Sequence, residues 1–295
     1  MTPRPQNPPL AVAFMLTATL FVAATTLLAK ALGTDTLGPP LNPLQISHGR
    51  FLFAWIAIAG AVAVIRPRFS RPHWPLHIGR TVFGWGGVSL MFAALAFIPI
   101  SDATAISFLN PVFGMMLAIP LLGERVGPWR WLAAAIALIG TLILLRPTPG
   151  SFQPAALLAL AAALFMGLEL ILLKRLSGRE GPLQILFLNN SLGLALASLA
   201  VLFVWLPPTP AQWAALAGLG LLMALAQACY VNAMARADAS FVTPFSFLTL
   251  VFAAFFDAVV FRAVPDLISV TGSAIIISGA ALLAWREASL RKSPA

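Results

Sequence analysis

Long apolar stretches, separated by short polar breaks, cover almost the whole chain. A helix needs roughly 20 residues to cross the hydrocarbon core of a bilayer, and these stretches approach that length. They are continuous rather than alternating, which favours helices over barrel strands. The pattern therefore predicts an all-α integral membrane protein with ten transmembrane helices. The predicted spans are 10–32, 44–65, 76–98, 102–122, 129–146, 154–174, 183–205, 212–235, 239–261 and 266–285.

Composition supports a membrane protein without a sizeable soluble domain. The chain is 60% hydrophobic and only 9% charged, whereas soluble domains carry about 25% charged residues. The first apolar run follows Pro8-Pro9 and lacks an A-x-A cleavage pattern, so we expect it to be a retained helix and not a signal peptide. The single cysteine, Cys229, cannot form an internal disulfide.

Charge distribution predicts the orientation. If the N-terminus is cytoplasmic, 14 of the 18 Lys and Arg residues fall on the inner side, Arg80 and Arg125 among them. The outer side then holds only Arg146 and Arg262. Such asymmetry places both termini in the cytoplasm. It also explains the net charge of +9 without nucleic-acid binding, since the basic residues are not interleaved with exposed aromatics.

The second half of the chain repeats features of the first. Five spans per half is an odd number, so the second copy must enter the membrane from the opposite side. The sequence thus predicts two inverted five-helix repeats, 1–149 and 150–295, with a solute site between them; a duplicated scaffold without transport is the alternative. The matching features, at offsets of 136 to 144, are Leu20-Phe21 with Leu164-Phe165, Pro43-Leu44-Gln45-Ile46 with Pro182-Leu183-Gln184-Ile185, Trp74 with Trp213, Asp102-Ala103 with Asp238-Ala239, and Gly140 with Gly279.

The run SDATAISFLNPVF…LLGERVGPWRWLAAAIALIGTLILL resembles the fourth and fifth helices of the drug/metabolite transporter superfamily, EamA type. Gly123-Glu124-Arg125 is the most specific piece, and Arg50 early in the second helix also fits. The second half departs from the pattern: Phe261-Arg262-Ala263 replaces Gly-Glu-Arg, and Asn189 stands where Arg50 would repeat. Within the family the chain is most similar to the YddG branch of amino-acid exporters.

This resemblance implies an EamA fold of ten helices around a central cavity, lined mainly by helices 1, 3, 4, 6, 8 and 9. It implies secondary export of small metabolites, aromatic and other amino acids among them, across the bacterial inner membrane. The expected partners are the lipid bilayer and a small-molecule substrate, with no cofactor. We expect a monomer, because a duplicated chain can complete its own cavity.

Three charges lie in the outer third of predicted spans: Lys30, Arg50 and Asp257. A charge at mid-membrane costs about 2.5–3.5 kcal/mol on insertion scales and rarely faces lipid. One hypothesis is that Asp257 pairs with one of the two cations and closes an outer gate. The alternatives are a static tie between helices, or Lys30 snorkelling alone.

Glu169 lies toward the inner end of the sixth span. A carboxylate there is able to take up a proton, meet a substrate ammonium, or bond to Lys174 or a neighbouring helix. The sequence leaves these roles open.

Four further charges have mainly structural interpretations. Asp102 and Asp238 open the fourth and ninth spans, where an acid caps free N–H groups and complements the helix dipole. Glu124 and Arg125 lie in a turn that they are expected to fix by hydrogen bonds, with a direct substrate role as the alternative.

Prolines inside spans provide candidate hinges. Pro111 and Pro120 fall in the fourth span and Pro244 falls in the ninth. Each removes a backbone hydrogen bond and can kink its helix. Paired bending of these two repeat mates is one route to alternating access, and static kinks are the other interpretation.

Polar and aromatic residues near the middle of spans are the candidate cavity lining. A pocket with few polar groups and several aromatics suits an amphipathic organic solute, although each residue alone is equally suited to helix packing. The candidates are Trp85, Phe92, Ser107, Asn110, Glu169, Gln227, Tyr230, Asn232, Thr243, Phe245 and Ser246; Lys30, Arg50, Asp257, Pro111 and Pro244 are the gating candidates.

Two other function classes remain as alternatives to a carrier. An intramembrane enzyme needs a nucleophile–base pair or a metal site, and the sequence holds no H-E-x-x-H, G-x-S-x-G or Walker A motif and no expected metal site. A channel or non-transporting scaffold is the other class, but no filter sequence is visible.

Overall fold

The computed structural model of the protein describes residues 7–95, 106–145, 156–260 and 266–292, apart from the side chains at positions 89, 92, 93, 95, 144, 145, 257, 269 and 287–292. Within these ranges the regular structure is entirely helical. The helices are α1 (Pro8–Leu32), α2 (Pro43–Ile65), α3 (Trp74–Leu95), α4 (Asn110–Leu122), α5 (Pro128–Leu145), α6 (Ala156–Ser177), α7 (Pro182–Val201), α8 (Pro210–Met234), α9 (Ala239–Val260) and α10 (Leu267–Lys292).

Some of these helices have the length and hydropathy of a membrane span. Among the described residues, six helices are long and apolar enough to span a bilayer: α1, α2, α6, α7, α8 and α9. Three shorter apolar stretches lie in α4, α5 and α10. The chain is therefore an all-helical, multi-pass membrane protein.

Prolines mark where several helices begin. α1 and α2 open with a proline directly after Asn7 and Asn42, whose side chains accept the N–H of Leu10 (3.2 Å) and Leu44 (2.9 Å). A proline at the first helical position loses no hydrogen bond, and asparagine satisfies one of the free N–H groups. The Pro/Gly-rich breaks of the sequence are thus helix start signals as well as loops.

Two helices are interrupted near their proline residues. A turn at 108–109 precedes α4, so that Pro111 occupies its first turn and not its interior. Pro244 lies in a 3₁₀ segment, Thr243–Phe247, within α9. Among these three, only Pro120 lies beyond the first turn of a continuous α-helix, in the last turn of α4. The hinge hypothesis for Pro111 and Pro244 stays a prediction, now located at local breaks of the α-helical hydrogen bonding.

Hydrogen bonds between helix ends show which ends share one side of the bundle. The N–H of Asn7, just before α1, donates to the carbonyl of Arg236, just after α8, at 2.8 Å. The Lys174 ammonium, near the end of α6, donates to the carbonyl of Met234 at the end of α8, also at 2.8 Å. The start of α1 and the ends of α6 and α8 thus lie together, at what we call the terminal end.

The opposite end joins the α1–α2 connection to the start of α8. Thr209 donates its hydroxyl to the carbonyl of Leu37 at 3.1 Å, and the Gln212 amide donates to the carbonyl of Pro39 at 2.7 Å. α1 and α8 are therefore antiparallel, and α1 and α6 run in opposite directions through the bundle.

Helix packing is closest at glycines. α1 packs on α8, α3 on α6, and α5 on α10. A Cβ on Gly140 of α5 would lie 2.8 Å from the carbonyl oxygen of Gly272 in α10, and one on Gly279 would lie 2.9 Å from the carbonyl of Ala133. These two glycines allow backbone-to-backbone contact, the usual device for helix association in lipid.

We expect Gly140→Ala to destabilise the protein by about 1–3 kcal/mol, because the added methyl group meets backbone that cannot move aside. The thermal midpoint for loss of monodisperse protein on size exclusion should fall by several degrees. Gly60→Ala is the matched control, since a Cβ there meets nothing within 4 Å. An unchanged midpoint for Gly140→Ala would contradict the close packing of α5 on α10.

Candidate functional site

Two adjoining cavities lie in the middle of the bundle. The larger, of about 360 Å³, is enclosed by α1, α3, α4, α6, α8 and α9, the six helices that the family resemblance implies. The smaller, of about 200 Å³, lies between α2, α3, α6, α7 and α8. Arg80, Glu169 and Gln227 line both, so we treat the two as one central cavity.

The central cavity contains a small charged cluster. Arg80 on α3 lies with its Nε 3.4 Å from Oε1 of Glu169 on α6. Arg50 on α2 also interacts electrostatically with Glu169, and its guanidinium lies 4.3 Å from the ring centroid of Phe51. Tyr230 on α8 belongs to the same electrostatic cluster. Four helices thus contribute side chains to one polar centre.

Glycines allow these helices to approach. A Cβ on Gly84 would lie 3.0 Å from the carboxyl carbon of Glu169, so this glycine leaves room for the carboxylate beside α3. A Cβ on Gly220 of α8 would lie 3.0 Å from the carbonyl of Arg50. The backbone of α2 at Arg50 therefore lies directly against α8.

The structure distributes the predicted cavity residues over three environments. The larger cavity includes Asn110, Glu169, Gln227, Tyr230 and Ser246, and the smaller includes Arg50, Trp85, Glu169 and Gln227.

Other candidates lie elsewhere. Thr243 is buried and bonds to the carbonyl of Ala239, and Ser107 is buried outside both linings. Asn232 accepts from Arg236 at 2.6 Å. Phe245 faces a separate apolar groove between α1, α9 and α10.

Two predicted residues lie where the structure leaves the side chain undescribed: Phe92 and Asp257. Lys30 is exposed in the last turn of α1. The gate between Asp257 and a cation therefore stays a prediction. For Arg50 the structure adds a different acidic neighbour, Glu169.

Arg80 is a site residue that the sequence analysis did not predict. It was counted among the inner-side charges, and the structure shows that its side chain lies within the bundle, with only 5% of the residue exposed. The missed signal was helical spacing: Arg80, Gly84 and Gly87 fall on one face of α3, which packs on α6. Glu169 likewise pairs with Arg80, while Lys174 donates instead to backbone carbonyls at the α8–α9 connection.

The Gly-Glu-Arg turn caps a helix of the other half. Gly123 has φ 70°, a left-handed conformation that suits glycine and ends α4. The Glu124 carboxylate accepts the N–H groups of Ala239 and Ser240 at 2.9 and 3.0 Å and the Ser240 hydroxyl at 2.6 Å. Arg130 adds donors to the Ser240 hydroxyl (2.7 Å) and Asp238 (3.1 Å).

We call Glu124, Arg130, Asp238 and Ser240 the interhalf latch. Asp238 was expected to cap α9 with its own side chain; the structure shows no such bond, and Glu124 takes that role. Asp102, its repeat mate, lies outside the described residues. The expectation that Glu124 fixes a turn is thus extended to a contact between halves, 115 positions apart in sequence.

A second buried contact lies at the start of α3. Glu180, between α6 and α7, accepts the N–H of His73 at 2.8 Å and lies 2.9 Å from Nε2 of His77, both side chains of this last pair being 1% exposed. It joins the α2–α3 and α6–α7 connections. No group of three or more His, Cys, Asp or Glu side chains suited to a metal occurs in the described part of the chain.

Comparison with known proteins identifies related sequences over most of the chain. The sequence model of the EamA-like transporter family matches twice, at residues 9–146 and 153–285. A riboflavin transporter of Rhizobium johnstonii is 36% identical over 233 residues, which is 76% of this chain and 75% of that protein. An S-adenosylmethionine uptake transporter of Rickettsia prowazekii is 28% identical over 255 residues, 85% of this chain and 86% of that one.

Two further similarities widen the comparison. The pseudopaline exporter CntI of Pseudomonas aeruginosa is 26% identical over 214 residues, 70% of this chain and 74% of that protein. A crystal structure of a protein 22% identical in sequence superimposes with a TM-score of 0.80, covering 92% of this chain and 96% of that chain. At that identity the superposition shows a common fold.

We expect Glu124→Ala to lower stability by about 1–3 kcal/mol, because it leaves the first N–H groups of α9 without their carboxylate acceptor. Hydrogen exchange read by mass spectrometry should quicken at Ala239 and Ser240. Arg125→Ala, a change to an exposed side chain in the same turn, is the control. Unaltered exchange in Glu124→Ala would show that the capping contact contributes nothing.

Proposed function

Because this chain belongs to the EamA-like transporter family, we propose that it is a secondary transporter that moves small organic metabolites, amino acids among them, out of the cell by alternating access. The chain is a membrane transporter and not an enzyme, as its named relatives are transporters. The observation that carries the proposal is the central cavity with its charged cluster, deep in an apolar helical bundle. Ionisable residues at such depth usually mark a solute pathway.

The proposal includes two inverted five-helix halves and ten membrane crossings. Two features support it: the family model matches each half separately, and α1 runs opposite to α6, its repeat mate. The packing is also paired, since α1 on α8 has its counterpart in α6 on α3, and α5 packs on its own mate α10. Carriers with inverted repeats bind solute where the repeats meet.

Lining residues from the two halves also correspond. Asn110 of α4 and Ser246 of α9 both line the larger cavity and are separated by 136 positions, the offset that relates Asp102 to Asp238. Equivalent positions in the two copies thus face one solute space. A carrier with this arrangement is expected to open its solute site alternately to the two sides of the membrane.

Localisation and orientation follow from the same proposal. The relatives are bacterial transporters, so the inner membrane is the expected site, and the Lys and Arg distribution places the terminal end in the cytoplasm. The interhalf latch and the Glu180 contacts then belong to the cytoplasmic side. Their opening would accompany the inward-facing state, and a monomer suffices to form the cavity.

A flavin is the second candidate substrate, because a relative 36% identical to this chain is named a riboflavin transporter. We favour an amino acid because it carries a carboxylate that can pair with Arg50 or Arg80, whereas a neutral flavin carries no such anionic group. The relatives are named for both uptake and export, so the export direction rests on the resemblance described above.

Counterflow in proteoliposomes tests the carrier proposal. Vesicles preloaded with unlabelled L-phenylalanine should take up labelled L-phenylalanine faster than empty vesicles, because only a carrier couples the two fluxes. Arg80→Ala should reduce this exchange at least tenfold, while Arg68→Ala, a change to an exposed arginine, should leave it intact. Equal uptake with and without preloading would identify a channel, and counterflow of riboflavin alone would favour the second candidate.

Cysteine labelling tests the inversion. In a Cys229→Ser background, Asp35→Cys in the α1–α2 connection and Arg179→Cys in the α6–α7 connection replace two exposed residues at repeat-related places. A membrane-impermeant maleimide added to whole cells should label the first and not the second. Labelling of both from one side would mean that the halves are related without inversion.

A further inference from the structure

We propose that Arg80, assisted by Arg50, is a binding site for a carboxylate of the transported solute, and that Glu169 is the internal anion which this carboxylate displaces. The inference rests on the proposed transport function and specifies its substrate class: organic acids, including amino acids bound through their carboxylate. With the solute bound, its carboxylate and that of Glu169 together balance the two guanidinium groups.

Charge balance in the cavity is the first argument. Among the described residues lining the two cavities, Arg50, Arg80 and Glu169 are the charged ones, which leaves one excess positive charge. Burying an uncompensated charge away from water costs several kcal/mol, and an anion from outside the protein would remove that cost. An ammonium-only solute would increase the excess instead.

The geometry of Arg80 is the second argument. Although its Nε lies 3.4 Å from Glu169, neither Nε nor Nη1 has a hydrogen-bond partner in the described part of the chain, and both atoms are buried. Guanidinium carries five N–H donors and binds carboxylates through two parallel bonds. Arg80 therefore has donors left over, at a residue that lines both cavities, and its present ion pair is incomplete.

The freedom of Glu169 is the third argument. Its side chain is 33% exposed while that of Arg80 is 6% exposed, so the carboxylate is the partner with room to move. Gly84 makes room for this carboxylate, since a Cβ there would lie 3.0–3.4 Å from its three terminal atoms. Because Arg80 is buried and Glu169 is more exposed, a solute carboxylate can replace that of Glu169 while the arginine stays in place.

Charge pairing with the solute bound follows from the same residues. The cations that interact with Glu169 are Arg50 of α2 and Arg80 of α3, and the solute carboxylate would engage them. Two carboxylates then face two guanidinium groups, and the described lining carries no excess charge.

Three matched compounds separate this assignment from its rival, in which Glu169 holds a substrate ammonium. 3-Phenylpropionate carries the carboxylate alone, phenethylamine the ammonium alone, and L-phenylalanine both, on the same ring. Isothermal titration calorimetry on the full-length protein in nanodiscs measures their affinities.

We expect 3-phenylpropionate to bind at least tenfold more tightly than phenethylamine. Glu169→Gln should bind 3-phenylpropionate at least as tightly as the wild type, because the internal competitor is gone. Arg80→Gln should lose at least tenfold in affinity, and Arg80→Lys, which keeps the charge and guards against misfolding, should lose less. Gly84→Ala, which crowds the Glu169 carboxylate, should change this affinity, and Gly87→Ala, which crowds Met166, is its control.

Several results would overturn the assignment. Phenethylamine binding as tightly as 3-phenylpropionate would do so. Failure of 3-phenylpropionate to bind Glu169→Gln, whose arginine is released from its internal partner, would also reject it. Binding of 3-phenylpropionate without counterflow would refute the transport function and leave the carboxylate site standing, whereas counterflow of phenethylamine alone would do the reverse.

Discussion

The ion pair between Arg80 and Glu169 is the interaction on which the interior of this bundle depends. Charged side chains inside a membrane protein are expensive, and their burial is sustained by mutual attraction and by a polar space around them. Here the two residues line both cavities, and two buried nitrogen atoms of Arg80 have no hydrogen-bond partner in the described part of the chain. The pair therefore connects α3 to α6 and still leaves donors available beside the cavities. A polar centre of that kind combines stability in lipid with the ability to receive a solute.

Helix packing positions this centre with glycine rather than with interlocking apolar side chains. Gly84 brings α3 against α6 at the carboxylate of Glu169, and Gly220 brings α8 against α2 at Arg50. Gly140 and Gly279 hold α5 and α10 together at a distance from the cavity. Glycines therefore allow the helices to associate closely in lipid, and they also make room at the polar centre where a solute would pass.

Sequence alone predicts much of this arrangement and misses its key contact. Continuous apolar runs and Pro-led breaks locate the helices, since the bilayer allows few other solutions, and Glu169, Gln227 and Tyr230 stand out as polar residues in apolar surroundings. The role of Arg80 was not predicted because a charge near the end of a span is equally compatible with a loop. Only the packing of α3 on α6 shows that this side chain is buried. The capping of α9 by Glu124 was not predicted because it depends on residues more than a hundred positions away in the sequence.

A structure of the protein determined with 3-phenylpropionate bound would test the account most directly. The account predicts the solute carboxylate on the guanidinium of Arg80, with Glu169 moved away from that guanidinium, and the phenyl ring in the larger cavity. A structure in which Glu169 still pairs with Arg80 while the solute lies elsewhere would contradict it.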